Sequence, residues 1–210
     1  MADWDQDSPQ LRGNLAGVLS SARNDAVRRA KPTIETARAW HKGLMHKLSI
    51  SKAEYGKFTD YAVGRFRGEI GLEGCDVEVG GYDGVKSDLV AEALKSFEET
   101  LQDAVQSLDD LIAPGEELDS DQLAAAIELC AWVHSEWVRI HPFVNGNGRT
   151  ARLWSNYIAM RYGLPNFVRL SPRPGSPYDF LAADAMEGRW RPTARVFRQM
   201  YAEAVKRPTK

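Results

Sequence analysis

A chain of 210 residues, 43% hydrophobic, 27% charged and 10% aromatic, has the makeup of a soluble globular domain with room for a real core. Its net charge of −2 offers no overall attraction to nucleic acid or anionic membrane, and no apolar run approaches the roughly eighteen residues that would span a bilayer. Two distant cysteines, and four histidines with no pair at metal spacing, argue against a zinc enzyme and for reduced thiols in a cytoplasm.

The opening MADWDQDSPQ is acidic and polar, unlike a signal peptide, so a cytoplasmic location is expected. Hydrophobic spacing predicts an all-α chain, with helices over residues 10–29, 33–48, 52–65, 88–112, 122–139, 149–162, 177–187 and 193–206. Residues 1–32, ending in the basic ARNDAVRRAK, read as an N-terminal helical extension, 33–202 as the main domain and 203–210 as a basic tail. The glycine-punctuated stretch at 68–84 is expected to form a β-hairpin, whose short strands leave an unpaired edge. The acidic stretch over 97–121 reads as a solvated helix face. Asp119 and Gln122 match a capping box for the helix that follows. Its apolar stripe of Leu123, Ile127, Cys130, His134 and Trp137 makes His134 a core histidine with a hydrogen-bonding neighbour. Gly163 suits the residue just past the end of the helix at 149–162, and the four prolines of LPNFVRLSPRPGSP mark a loop.

Between those two helices lies IHPFVNGNGRTAR, residues 140–152. Gly146 and Gly148 allow successive N–H groups to turn inward, and the helix starting there adds unsatisfied donors and a partial positive charge. Arg149 and Arg152 leave one side of its first turn, where two cations are unfavourable without an anion. A polyphosphate site satisfies both conditions better than a plain turn does. His141, just upstream, titrates near neutral pH when unperturbed and suits a general base. Asn156 shares a helical face with the two arginines, which places it near the ribose or base of a nucleotide. Nest, arginines and base together describe phosphoryl or nucleotidyl transfer, without the GxxxxGK[ST] loop of common NTPases.

IHPFVNGNGRTAR resembles the signature of the Fic family, His-x-Phe-x-Asp/Glu-Gly-Asn-Gly-Arg-x-x-Arg, and ARAWHKGLMHKL, GRFRGEIG and SPYDFLAADAMEGRWRPTARVFRQM resemble its flanking segments. The resemblance implies a helical bundle with a small hairpin flap beside the motif loop. It implies His141 as the base that deprotonates a target hydroxyl, and Phe143 as the loop's anchor. Gly146, Asn147, Gly148 and Arg149 would lie around the α- and β-phosphates and Arg152 at the γ-phosphate of ATP. The implied reaction is AMP transfer to a Ser, Thr or Tyr hydroxyl of another protein. Val77 and Val79 would lie on the flap edge where an extended segment of that target docks.

Two departures from the family pattern carry consequences. Asn145 stands where the family carries the Asp or Glu that holds Mg²⁺, and a neutral amide should hold that ion more weakly. The inhibitory Ser/Thr-x-x-x-Glu-Gly/Asn pattern is missing, since Glu69 and Ala183 stand four residues before Glu73-Gly74 and Glu187-Gly188. A brake would then sit on a separate small antitoxin, as in toxin–antitoxin pairs. Two alternatives stay open: a nucleotide-binding interaction module with weak or lost catalysis, and a Fic enzyme that removes AMP or transfers another nucleotide or phosphocholine.

Overall fold

A computed structural model describes residues 7–48 and 60–206, and their helices bear out the all-α expectation. Helix α1 (Pro9–Val27) opens with the Ser8 hydroxyl accepting from Leu11 N–H and Pro9 in the first turn, where a missing N–H costs nothing. Thr33 caps α2 (Ile34–Met45) in the same way. After a 3-10 turn at Ser87–Leu89 comes α3 (Val90–Leu111), then α4 (Ser120–Ile140), with the expected Asp119/Gln122 capping box present in full. Helices α5 (Asn147–Arg161), α6 (Leu181–Met186) and α7 (Arg191–Lys206) complete the bundle. Gly163, with φ +74°, follows α5 as its spacing predicts. No helix among the described residues is long and apolar enough to cross a membrane.

Helix α5 is the axis of the molecule. Every residue along it except Gly148 is buried, and it packs on α4, α1 and α2, while α3, α6 and α7 lie against α4. Leu11, Leu15, Val18, Ala22 and Ala26 of α1 enter the same core as Trp154 and Ile158 of α5. Aromatic rings fill the centre, with Trp154 edge-on to Trp40 at 4.7 Å and near Trp137 and Phe97 at 5.9 Å. At its far end α5 is tied down by Arg161, which pairs with Asp109 of α3 and donates to Ala30 O at 2.8 Å.

The structure departs from the expected elements in two places. Of the helix expected over 52–65, residues up to 59 lie outside the described ones. The rest is one 3-10 turn at Asp60–Ala62, closed by Gly64 at φ +72°. The hairpin is real but shorter than 68–84. Glu78–Val79 (β1) pairs antiparallel with Tyr82–Asp83 (β2) across Gly80 and Gly81, both at positive φ as a tight primed turn requires. Residues 68–76 are successive turns.

Candidate active site

Helix α4 ends on His141 itself. This residue sits in the left-handed region at φ +52°, and its N–H still donates to Trp137 O at 3.0 Å. A non-glycine residue there is strained, so its surroundings must hold it. Arg67 does so. Nearly inaccessible at 1%, it donates from Nε to His141 O at 2.7 Å and from Nη2 to Ile140 O at 2.9 Å. It also reaches Cys75 O and Val85 O at either side of the hairpin, and its own N–H donates to Pro142 O. The carbonyl end of α4 attracts a cation, while burial pulls Arg67 below the usual arginine pKa. One side chain thus joins helix end, motif loop and hairpin. A lysine, a point charge on a single stem, cannot span those carbonyls. Arg67→Lys is expected to cost about 1–3 kcal/mol of stability for the carbonyls left bare. Urea unfolding at wild-type midpoint would show that water replaces the guanidinium.

The His141 ring has a defined tautomer. Its Nδ1 lies 3.1 Å from Val138 O, and a carbonyl only accepts, so Nδ1 carries the proton and Nε2 keeps its lone pair. Burial lowers its pKa to about 4, helped by the nearby Arg67 charge, so the ring is neutral at pH 7.

The loop that follows is held from inside. Phe143 is fully buried and stacks on His41 with centroids 3.9 Å apart. His41 Nδ1 accepts from Gly64 N–H, which leaves Nε2–H to donate to Asn145 O at 2.9 Å. Asn147 clamps the loop with both ends of its amide, accepting from Phe143 N–H at 2.9 Å and donating to Phe143 O at 2.7 Å. Its side chain therefore shapes the loop instead of reaching for a ligand. Gly146 starts α5 at φ +80°, a Cβ there would meet His41 Nε2 at 3.0 Å, and no side chain caps the helix. The residues of that first turn line a cavity of about 460 Å³.

His141, Asn145, Gly146, Asn147, Gly148, Arg149, Arg152 and Val79 all line this cavity. Arg152 is anchored by Nη2 to Leu170 O at 2.9 Å and lies 3.5 Å from the Tyr178 hydroxyl, which bonds His134 Nε2 at 2.7 Å. His134 is the hydrogen-bonded core histidine its position predicts, and it also forms part of the cavity wall. A second cavity of about 550 Å³, between α7 and the proline-rich loop, contains none of the motif residues.

Two expected site residues fall elsewhere. Asn156 is absent from the lining, because the loop after α5 folds over its face. Its amide donates to Val168 O at 2.7 Å and accepts from Val168 N–H at 3.2 Å. Val77 packs against Gly84 instead of the cavity. The register also corrects the expected edge. Gly84 N–H donates to Val77 O at 2.9 Å, so by alternation Val77 and Val79 turn their amides toward β2, and Glu78 turns its amide outward. Conversely, His41, Arg67, Tyr178 and Arg173, which also lines the cavity, carry no spacing signal in the sequence.

Asn145, the residue expected to hold Mg²⁺, is turned back on its own loop. Asn145 Oδ1 accepts from Gly146 N–H, and the described residues hold no group of three His, Cys, Asp or Glu able to bind a metal.

Comparison with known proteins bears on this geometry. A stretch of 69 residues is 41% identical to Protein adenylyltransferase Fic of Drosophila persimilis and 42% identical to that of Drosophila melanogaster. Those matches take in 33% of this chain but only 13% and 14% of the relatives' length. A Fic domain containing signaling protein from Bacteroides thetaiotaomicron superposes with TM-score 0.58 at 16% identity, over 94% of this chain and 71% of its own. BepC of Bartonella tribocorum with bound AMPPNP does so with TM-score 0.57 at 20% identity, over 92% and 87%. The sequence model of the Fic/DOC family matches residues 31–159, from the approach to α2 almost to the end of α5, and the chain belongs to that family.

Proposed function

We propose that this chain is a protein adenylyltransferase, moving AMP from ATP to a Ser, Thr or Tyr hydroxyl of a target protein. One observation carries the reading: the unprotonated Nε2 belongs to a ring that lines the same cavity as the uncapped α5 N-terminus and Arg152. In the proposed step Nε2 of His141 takes the hydroxyl proton as the oxygen attacks the α-phosphorus. The bond from that phosphorus to the bridging oxygen breaks, and pyrophosphate leaves with the electron pair. The α5 N–H groups and Arg149 hold the α- and β-phosphates, and Arg152 holds the γ-phosphate. The BepC structure with AMPPNP and a Bartonella quintana relative with ADP support a nucleotide as ligand.

Incubation with a protein lysate and ATP labelled at either the α- or the γ-phosphorus tests the reaction. AMP transfer puts only the α label on protein. Labelling by the γ-phosphorus alone would replace this reading with phosphoryl transfer. The neutral, loop-bound amide of Asn145 favours a second reading, in which the chain binds nucleotide and transfers nothing; nucleotide binding with neither label transferred would establish it.

The hairpin supports a role in docking the target. Val79 reaches the cavity wall while the outward N–H and C=O of Glu78 offer main-chain pairing to an extended segment. Glu78→Pro removes that donor without touching a β1–β2 bond. It should reduce target labelling about three- to tenfold, the worth of one or two hydrogen bonds, with ATP affinity unchanged. Wild-type labelling by this variant would show that the hairpin edge does not dock the target.

A further inference from the structure

We infer that Asn145 binds a phosphate oxygen of the nucleotide, a role opposite in sign to holding a metal ion. This rests on the nucleotide reading above and deepens it. Asn145 is 7% exposed, and its oxygens are both engaged, the backbone one by His41 Nε2–H and Oδ1 by Gly146 N–H. What remains is the donor Nδ2, buried in the cavity wall with no hydrogen-bond partner among the described residues. Arg152 Nε is a second such donor in the same wall. Buried donors without acceptors are strongly unfavourable, and an anion supplies acceptors to both.

The electrostatics point the same way. Arg149, Arg152 and Arg173 line the same cavity as the amide, at the positive end of α5, and outnumber Asp7, the one carboxylate of that lining, so the site disfavours a bare divalent cation and attracts a triphosphate. An Asp or Glu carboxylate at this position would turn an acceptor toward the phosphates, which is tolerable only with a cation between them. The amide of Asn145 bonds phosphate directly. Nucleotide affinity should therefore be largely independent of Mg²⁺, which enters, if at all, as a passenger on the phosphates.

Titration calorimetry with AMPPNP, in excess EDTA and in millimolar Mg²⁺, tests this without turnover. The wild-type dissociation constant should agree within about threefold between the two conditions. Asn145→Asp, isosteric and able to keep the Gly146 contact, should bind more than about tenfold more weakly than wild type in EDTA and recover most of the loss with Mg²⁺. Wild-type binding that falls tenfold in EDTA overturns the assignment and leaves the nucleotide site standing, as does an Asn145→Asp variant that binds as well as wild type without metal. No binding of AMPPNP in either buffer overturns both.

Discussion

Transfer should fall about a hundred- to ten-thousand-fold in His141→Ala, while ATP affinity stays within about threefold of wild type. The two effects separate because the α5 donors and arginines that would hold phosphate lie beyond the loop, whereas the proposed reaction would use only the ring's unprotonated Nε2. Alanine does not leave the fold untouched. It sits at φ +52°, which favours Asn or Gly over Ala, and it forfeits the Val138 contact, so about 1–2 kcal/mol of stability should go with the activity. His141→Asn is the control, since Asn tolerates that backbone; it should be more stable than the alanine variant and equally inactive. Because burial holds the His141 pKa at about 4, kcat/KM should stay flat from about pH 8 to about pH 6, where an unshifted histidine base would already be failing. Retention of most activity in either variant takes His141 out of the mechanism.

Acid should unfold this chain earlier than its carboxylates alone would. His41 and His134 are 2% and 3% exposed and are neutral in the fold. Burial lowers His41 to about 4, with Arg149 adding to the shift, and lowers His134 to about 3, with Arg152 and Arg173 adding. The unfolded chain binds protons at both near pH 6.5, so between about 4 and 6.5 it holds more protons than the folded one. Stability is therefore complete above about 6.5 and drains away as pH falls toward 4. Together the two rings contribute on the order of 5 kcal/mol, comparable to the whole stability of many domains. Tryptophan fluorescence across pH 8 to 4 should show cooperative unfolding within that window. Unfolding at pH 5 should take up nearly one proton at each of these two histidine rings and nearly one more at His141, whose pKa burial also lowers to about 4. A chain that keeps its native signal to pH 3 contradicts this account.

Where a feature depends on local chemistry, the sequence reading matches the structure. The Asp119 capping box, Gly163 after α5 and the buried His134 each depend on a few neighbouring residues, and each is present. Asn156 shows where such reasoning stops. Helical spacing correctly puts it on the arginine face, but which part of that face a loop covers depends on residues 163–170, and Val168 occupies the place assigned to a nucleotide. The edge amide at Glu78 could not be chosen over Val77 or Val79 before the register was known. Arg67 and His41 escaped notice for a different reason. They work through backbone carbonyls and amides distant in the chain, and such partners have no side-chain identity to read.

The burial of α5 on every side changes how binding is to be understood thermodynamically. Arg149 and Arg152, at 8% and 5% exposed, have already given up their rotamer freedom, worth about 2 kcal/mol per arginine, when the chain folds. An arriving anion meets donors whose directions are settled, so little ordering is left for the binding event, and the helix that presents them is the part of the molecule least able to open locally. On the α5 side of the cavity, discrimination among anions would then rest on the fixed directions of these donors.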